Sequence, residues 1–278
     1  MSSINVNFSV LMVFSDTDEF RDLVRCFESF LGQTAQPDSV ILVLNGIKAR
    51  SFRESIQLTF PSLTFVMVER EAMVGFSEAL DAGLDYCDSD YVARMDPDDW
   101  LHGQRFKVQT DFIQAHPHMD IVGGHINEWD SGGIVSVRKA PLSIDDIRKF
   151  SRYRCPFNHV TVFIRTALLR SLGGYNSFSG VEDYYLWVRA LNAGAVCANL
   201  DTPLVNVSAG SGMLSRRRGM SYLKKEFRLQ FFMFRSGHIR LPALIFNLAS
   251  RSFLRLSPRP VLGWAYKFLR SNYEATSL

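Results

Sequence analysis

Short apolar runs alternate with amphipathic helical segments through the N-terminal part of the chain. Residues 8–14 (FSVLMVF) form an apolar run of the length expected for a buried strand. Asp16 and Glu19 then have the spacing of a capping box, apolar residues follow at helical spacing, and Gly32 marks the end of this predicted helix. Further strands are predicted at residues 39–44, 63–68 and 90–95, and a further helix at 76–86. This alternation predicts an α/β fold with a Rossmann-like, mostly parallel sheet and helices on both faces.

The second half of the chain carries further strand and helix patterns. They predict a helix at residues 100–116, a strand pair at 120–127 and 133–138, a strand at 160–165 and a helix at 180–193. From residue 216 onward the pattern is helical, basic and rich in aromatic residues, and no linker rich in Pro, Gly or Ser precedes it. We therefore predict one α/β domain at residues 1–215 and a basic amphipathic helical extension at residues 216–278.

The distribution of charge separates these two parts. The formal net charge of the chain is +3, but residues 216–278 contain 13 Lys/Arg and 2 Asp/Glu, which leaves the preceding residues with a net charge of −8. A basic segment attached to an acidic body favours contact with an anionic surface, for which a membrane leaflet and a nucleic acid are both candidates.

Cysteine spacing and hydropathy exclude some classes of protein. The four cysteines form no C-x-x-C pair of the kind found in zinc and redox sites, so we expect reduced core thiols. The N terminus does not have the pattern of a signal peptide. No stretch approaches the roughly 20 apolar residues that span a bilayer.

An acidic cluster, Asp96-Pro97-Asp98-Asp99, directly follows the predicted strand at 90–95. Closely spaced carboxylates repel one another and need a compensating cation or full solvation. Mg²⁺ and Mn²⁺ prefer oxygen ligands and often bind through one or two carboxylates plus substrate phosphates. Ligands of α/β sheets bind beyond the carboxyl ends of the strands, which is where this cluster lies. The alternative is an acidic turn that caps the helix predicted to start at Trp100.

A second acidic pair, Glu182-Asp183, opens the predicted helix at 180–193. A carboxylate in a pocket can act as a general base towards a hydroxyl group. The alternative is a capping role, because acidic side chains interact favourably with the N-terminal end of a helix.

Several longer motifs surround these two acidic groups. They are FSVLMVFS and SVILVLNG at the first two strands, MVGFSEALDAGLDYCDSDYVARMDPDDW, HPHMDIVGG, CPFNHVTVFIR and GGYNSFSGVEDYYLWVRAL. In these motifs the chain resembles the family-two inverting glycosyltransferases with the GT-A fold. Within that family it is similar to the bacterial exopolysaccharide and O-antigen transferases of the amylovoran-galactosyltransferase kind. The resemblance extends from about residue 8 to residue 218, so residues 1–215 correspond to a GT-A glycosyltransferase domain.

The resemblance implies roles for the acidic residues. In the family, the D-x-D-type cluster binds the divalent metal and the ribose and diphosphate of the donor, which here corresponds to Asp96 and Asp98 with Asp99 close by. The Asp of the Glu-Asp motif is the usual general base, which implies that Asp183 is the base and that Glu182 supports it.

Other positions correspond to the nucleotide-binding side of the family. Ser15 and Asp16 are expected to flank the uracil and ribose, and Asn45 takes the position at which many relatives carry an Asp that contacts the nucleoside. Arg216, Arg217 and Arg218 are expected to close over the donor diphosphate, since guanidinium groups pair well with phosphate. A solvated basic patch is the alternative for these three arginines.

Three further residues have open roles. Asn158-His159 matches the family segment that precedes a strand and could line the acceptor side, but a buried structural histidine is an equally simple interpretation. Arg94 could pair with Asp96 or lie on a strand edge as a surface arginine.

The implied reaction moves a hexose, glucose or galactose, from a UDP-sugar to a sugar on a lipid diphosphate, with Mn²⁺ or Mg²⁺ as cofactor and a β-linkage in the product. The product belongs to O-antigen or exopolysaccharide synthesis. We expect the enzyme to be cytoplasmic and peripheral on the inner face of the bacterial membrane, with the basic extension on the anionic lipid surface rather than on nucleic acid. Dimerisation through the extension is the alternative.

Two other classes of protein are alternatives. A sugar-nucleotide nucleotidyltransferase would carry a Gly-rich phosphate loop after the first strand, where this chain has FSDTDEF without glycine. A non-catalytic nucleic-acid-binding module would have no need of the two acidic groups.

Overall fold

A nine-stranded mixed sheet forms the centre of the protein. The structure is a computed structural model, and it describes residues 6–130, 132–175, 178, 180–208 and 219–256. The strands are β1 (Phe8–Ser15), β2 (Ser39–Asn45), β3 (Phe65–Arg70), β4 (Tyr91–Arg94), β5 (Trp100–Leu101), β6 (Ile121–Asp130), β7 (Gly133–Arg138), β8 (Phe163–Arg165) and β9 (Cys197–Ser208). The helices are α1 (Phe20–Leu31), α2 (Ile47–Ser51), α3 (Arg53–Thr59), α4 (Phe76–Leu84), α5 (Arg105–Ala115), α6 (Ile144–Phe150), α7 (Thr166–Ser171), α8 (Glu182–Asn192), α9 (Met220–Arg235) and α10 (Leu241–Leu256), with a 3₁₀ turn at His159–Thr161.

The strand order places the N-terminal strands side by side. The order is β3-β2-β1-β4-β8-β6-β9-β5, with β7 paired to β6. The first four strands in this order are mutually parallel, whereas β8 runs antiparallel to both of its neighbours. Ser15 pairs in register with Asn45, so β1 and β2 end together. Parallel strands present their carboxyl ends at one edge, and this edge carries the predicted site.

Two hydrophobic clusters cover the two faces of the sheet, as the α/β prediction requires. One contains Leu23 and Phe27 of α1, which pack on alternate residues of β1 and β2. The other contains Leu80 of α4 and Leu186 of α8, which pack on the residues in between. Strands buried on both faces explain why β1 and β2 read as continuous apolar runs. The predicted α/β sheet with helices on both faces is confirmed.

One predicted helix begins later than expected. Residues 100–116 were expected to be helical from Trp100, but Trp100 and Leu101 form β5 and pair with Asn206 and Val205 of β9. The helix α5 begins at Arg105. Strand pairing with a distant segment, which the sequence pattern did not reveal, takes these two residues out of the helix. The acidic cluster therefore does not cap a helix at Trp100.

The predicted capping box before α1 is also not formed. Glu19 occupies the N-cap position, but neither it nor Asp16 makes a side-chain hydrogen bond to the first turn of α1. The Asp16 carboxylate instead accepts a hydrogen bond from the backbone N–H of Ala49 at 2.9 Å. A tertiary contact with α2 therefore replaces the local cap.

The two C-terminal helices, α9 and α10, pack together and against α8. Leu229 of α9 and Leu244 of α10 belong to a third cluster with Tyr184 and Val188 of α8. Among the described residues, no helix combines the length and the apolar character that crossing a bilayer requires.

Candidate active site

The acidic cluster lies where β4 leaves the sheet. Asp96, Asp98 and Asp99 each offer a carboxylate oxygen, and these oxygens all lie within 4.8 Å of one another. Asp99 is 2% exposed and accepts a hydrogen bond from the backbone N–H of Ser208 at 3.3 Å, whereas Asp98 is exposed. We call Asp96, Asp98 and Asp99 the acidic corner.

The electrostatics of the acidic corner favour a cation. Desolvation, followed by repulsion from Asp96, raises the pKa of Asp98 to about 6. Because Asp98 is exposed to solvent, repulsion from Asp96 is a better-supported cause of the raised pKa than desolvation. Burial and the charges of Asp96 and Asp98 raise the pKa of Asp99 well above its usual value. A divalent cation with oxygen ligands would relieve this repulsion, so the residues present fit the expected metal.

Two buried arginines lie beneath the acidic corner. Arg94 is fully buried, forms an ion pair with Asp96 and donates to the backbone oxygen of Leu11 at 3.3 Å. This settles the question that the sequence left open, because Arg94 is not a surface residue. Arg105 is also fully buried and donates to the backbone oxygen of Arg94 at 3.0 Å, and burial lowers its pKa to about 9. The sequence analysis missed Arg105, since nothing in its helical position distinguishes it from an exposed arginine.

The residues expected to bind the nucleotide lie at the adjacent ends of β1 and β2. The hydroxyl and the backbone N–H of Ser15 both donate to Asp18, at 2.8 and 2.7 Å. The Asp16 carboxylate lies against Gly46, where an added Cβ would approach it to 2.4 Å and where φ is 119°. Only glycine tolerates this close approach and this conformation.

Asn45 is held by a pair of backbone hydrogen bonds. It is 3% exposed, and its amide donates to the oxygen of Val74 at 3.0 Å and accepts from the N–H of Val74 at 2.9 Å. In this arrangement Asn45 fastens the end of β2 to the segment that precedes α4. A nucleoside contact by Asn45 stays a prediction.

Glu182 and Asp183 form the first turn of α8. The Asp183 carboxylate accepts from the N–H of Tyr184 at 2.7 Å, and the thiol of Cys155 lies 3.7 Å from its other oxygen. Glu182 accepts from the N–H of Gly180, and burial raises the pKa of Glu182. Both carboxylates are half-buried, so the pair combines partial desolvation with access to solvent. We call Glu182 and Asp183 the base corner.

An aromatic and polar cluster connects the two corners. The guanidinium of Arg94 lies 5.1 Å from the Phe76 ring centre, and the Phe76 ring lies 6.5 Å from that of His159. His159 in turn lies 5.9 Å from the ring of Trp187, which is one helical turn after Asp183 and shares its face of α8. A series of neighbouring side chains therefore leads from Arg94, the partner of Asp96, to the helix that carries Asp183.

Within this cluster, several buried polar atoms have no hydrogen-bond partner among the described residues. They are Arg94 Nε, His159 Nε2, Tyr175 Oη and Trp187 Nε1. Burial, followed by repulsion from Arg94, lowers the pKa of His159 well below its usual value. His159 is therefore neutral near neutral pH. Trp187 appeared in the sequence only as an apolar residue of α8, and no pattern revealed its polar surroundings.

Two sets of predicted residues remain to be placed. Asn158 is 5% exposed and donates to the backbone oxygens of Gly124 and Arg138 at 2.9 and 3.2 Å, which gives it a structural role. Arg216, Arg217 and Arg218 lie outside the described residues. Their proposed contact with the donor diphosphate stays a prediction, as does the boundary between residues 215 and 216.

The chain is similar to several bacterial glycosyltransferases along nearly its whole length. It is 38% identical to an uncharacterized glycosyltransferase of Haemophilus influenzae, over 95% of this chain and 100% of the relative. It is 35% identical to the amylovoran biosynthesis glycosyltransferase AmsE of Erwinia amylovora, over 94% of this chain and 98% of the relative. It is 30% identical to the UDP-Gal:alpha-D-GlcNAc-diphosphoundecaprenol beta-1,3-galactosyltransferase of Escherichia coli, over 96% of this chain and 98% of the relative.

Solved structures share the fold at low sequence identity. Staphylococcus aureus TarS in complex with UDP-GlcNAc superposes with a TM-score of 0.65 and 15% identity, over 89% of this chain and 72% of that structure. The mannosyltransferase PcManGT of Pyrobaculum calidifontis, in complex with GDP-Man and Mn²⁺, has a TM-score of 0.64 and 17% identity, over 98% and 76% of the two chains.

The family assignment rests on a match that covers more than half of the chain. The model of "Glycosyl transferase family 2" matches residues 9–172, which contain β1 to β4 and the acidic corner. Together with relatives that align over almost the whole chain, this match decides against the nucleotidyltransferase alternative. The protein is an enzyme that belongs to glycosyl transferase family 2.

Proposed function

We propose that this protein transfers a hexose, galactose or glucose, from a UDP-sugar to a sugar carried on a polyprenyl diphosphate. The family transfers with inversion, so an α-linked donor gives a β-linked product, here a step in O-antigen or exopolysaccharide synthesis. The proposed donor and acceptor classes are those of the Escherichia coli galactosyltransferase, and the exopolysaccharide context is that of the Erwinia amylovora relative.

The observation that carries this proposal is the pairing of two different carboxylate environments. The acidic corner concentrates three carboxylates around one point, where an oxygen-liganded cation and a diphosphate fit. The base corner offers the half-buried carboxylate of Asp183, and the charge of Lys225 acts on the neighbouring Glu182. One environment suits a charged leaving group and the other suits proton removal.

The chain's own residues then divide the reaction between them. Asp96, Asp98 and Asp99 hold the cation, Mn²⁺ or Mg²⁺, which when bound would neutralise charge on the departing diphosphate. Arg94 holds Asp96 in place through its ion pair. Asp183 accepts the proton of the acceptor hydroxyl as that hydroxyl attacks the anomeric carbon from the face opposite the diphosphate. Ser15, Asp16 and Asn45 border the space for the nucleoside.

A lipid-linked acceptor requires the enzyme to work at a membrane surface. The extension from residue 216 carries the net positive charge that an anionic leaflet attracts. We therefore propose peripheral association with the cytoplasmic face of the bacterial membrane. A homodimer formed through the same extension is the alternative function of that segment.

A donor panel tests the proposed function directly. Purified enzyme is incubated with Mn²⁺, a series of radiolabelled UDP-sugars and a GlcNAc- or GalNAc-diphosphate-lipid analogue, and UDP release and labelled lipid are measured. We expect UDP-galactose or UDP-glucose to give labelled lipid with a β-linkage by NMR. Chelation with EDTA should stop transfer, and added Mn²⁺ or Mg²⁺ should restore it. Full activity in excess chelator would refute the metal assignment, and an α-linked product would refute inversion.

A further inference from the structure

The helix α10 exposes large apolar side chains, while the side that buries Leu244 also buries polar and charged residues. Its buried side includes Asn247, which is 1% exposed, and directs Arg251 and Arg255 towards Glu226. Its outward side carries Leu241 and Ile245, which are 54% and 60% exposed. A helix at the surface of a globular protein normally buries its apolar stripe and exposes its charged residues.

Specific hydrogen bonds and ion pairs connect the polar residues of α10 to the rest of the protein. Arg255 donates two hydrogen bonds of 2.8 Å to Glu226 of α9, which is 7% exposed. The Asn247 amide donates to Gln230 at 2.7 Å and to the backbone oxygen of Arg152 at 2.8 Å. Buried polar groups with partners of this kind define one orientation of the helix, so α10 cannot rotate to hide its apolar side without leaving them unpaired.

The apolar surface of α10 continues onto the α/β domain. We define the outer face of α10 as Leu241, Pro242, Ile245 and Phe246. The Phe246 ring lies 5.9 Å from the ring of Tyr153, and these two residues line a shallow apolar groove with Pro242 and Ala243.

Cationic residues border this surface. Arg152 and Arg154 flank Tyr153 in the chain, Arg240 directly precedes α10, and all three arginines are exposed. Between residues 219 and 256 the chain has seven Lys/Arg and one Asp/Glu. Exposed apolar side chains bordered by cations match the interface of an anionic bilayer, where acyl chains lie next to phosphate groups. A second copy that docked through the same face would add its own arginines to this border.

We propose that the outer face of α10, together with Tyr153, docks on the surface of an anionic lipid bilayer. The apolar side chains enter the interfacial layer, and the arginines contact lipid phosphates. This inference rests on the proposed function in one respect, since a lipid-linked acceptor is the reason for the enzyme to be there. The proposal goes further than membrane association of the extension, because it names the side chains that enter the bilayer surface.

Docking through this face also orients the base corner. Leu244 of α10 and Leu229 of α9 pack in one cluster with Tyr184 and Val188 of α8. Asp183 lies in the first turn of that same helix. The helix that carries the base is therefore held at a constant distance from the leaflet that contains the acceptor.

Vesicle flotation of the full-length protein tests the proposal. The wild type and the double variant Ile245→Ser/Phe246→Ser are mixed with vesicles of phosphatidylglycerol and phosphatidylethanolamine or of phosphatidylcholine alone. We expect the wild type to prefer the anionic vesicles, and the double variant to partition at least about tenfold less, because two large apolar side chains no longer enter the interface. The variant Leu241→Ser/Ile245→Ser should show the same loss.

The matched control is Ile47→Ser/Leu58→Ser, which changes two residues that are 75% and 81% exposed in α2 and α3. It should partition like the wild type, and thermal melts should show all variants folded. Unchanged partition of both α10 variants overturns the proposal. A variant that becomes monomeric from a wild-type dimer, with vesicle binding retained, assigns the face to a second copy and also overturns it.

Transfer assays separate this inference from the proposed function. The Ile245→Ser/Phe246→Ser variant should retain the wild-type kcat with a short-chain, detergent-soluble acceptor, and should lose activity only with acceptor presented in vesicles. If the wild type transfers no sugar at all, the proposed function fails while the flotation result still decides the docking face. If the double variant is equally active on vesicle-borne acceptor, the docking proposal fails alone.

Discussion

The acidic corner and the base corner hold their carboxylates by different means. The acidic corner takes its three carboxylates from four consecutive residues at the end of β4, and the buried Arg94 next to them supplies a counter-charge. The base corner takes its two carboxylates from the first turn of α8, a helix that is positioned by the sheet on one side and by α9 and α10 on the other.

The two corners therefore depend on different parts of the chain for their positions. The acidic corner lies in one short segment and contacts Arg94 of β4 and Ser208 of β9, so changes in α9 and α10 should disturb it little. The base corner depends on packing between α8 and segments more than thirty residues away, such as Leu229 and Leu244. The buried contacts of Leu229 and Leu244 with α8 therefore support the position of the base corner, whereas the exposed side of α10 takes no part in it.

The largest effect is expected from Asp183→Asn, which removes the proposed base and keeps the shape of the side chain. Transfer should fall on the order of a thousandfold, within the range that general-base catalysis contributes. Binding of UDP with Mn²⁺, measured by calorimetry, should be unchanged, because the acidic corner is intact. Asp145→Asn is the matched control, since Asp145 is an exposed acidic residue in the first turn of α6. Wild-type turnover of Asp183→Asn would remove Asp183 from the mechanism.

The second largest effect is expected from the loss of buried packing next to α8, the helix that carries the base corner. Leu229 is 1% exposed, and Leu229→Ala should lower the free energy of unfolding by about 2–5 kcal/mol in a urea titration. The amides of α8 should exchange hydrogen faster, while those of β1 and β4 change less. Phe231→Ala in the same helix is the control, because Phe231 is 45% exposed and should cost at most about 0.5 kcal/mol. Equal acceleration in β4 and α8 would contradict the separation of the two corners.

A substitution of Asn45, at the end of β2, distinguishes a role in nucleotide binding from a role in packing. Asn45→Asp would restore the residue that many relatives carry, but an ionised carboxylate cannot donate to the oxygen of Val74. We expect a loss of about 1–3 kcal/mol in unfolding free energy, because a buried carbonyl loses its partner. The exposed Gln114→Glu makes the same chemical change as a control. A gain in UDP affinity without a loss of stability would show that Asn45 serves the nucleotide instead.

The smallest effect is expected on the pH dependence of stability, from a substitution of His159 in the aromatic and polar cluster. Burial and Arg94 lower the pKa of His159 well below 6.5, so the unfolded chain binds the proton first as the pH falls. The stability that neutral His159 contributes is complete above about pH 6.5 and is lost as the pH falls below it. The melting temperature of His159→Gln should therefore fall less between pH 7 and pH 5 than that of the wild type. Burial also lowers the pKa values of His125 and His238, so the variant keeps part of the pH dependence of stability. The exposed His118→Gln should match the wild type, and an identical slope for His159→Gln would contradict the prediction.

The elements that could be predicted from the sequence are those whose signals are local. The apolar runs that became β1 and β2, the helical spacing of α1 and its end at Gly32 agree with the structure within a residue or two. β5 and β9 could not be predicted in the same way, because Trp100 becomes a strand only by pairing with Asn206. Asp16 shows the same limit, since its partner Ala49 lies in a different helix.

By itself, the sequence determined the α/β fold and the family, and it singled out the two acidic groups as candidates. These features depend on the periodicity of apolar residues, on residues that favour turns and on motifs of contiguous residues. The tertiary structure alone decided that Arg94 is buried and donates to the backbone oxygen of Leu11, that Asn45 binds Val74 and that α10 buries Arg255 against Glu226. Each of these depends on which distant groups are brought within hydrogen-bonding distance. The free energy of burying a polar side chain is set by the partner it finds there, and that partner is not adjacent in the chain.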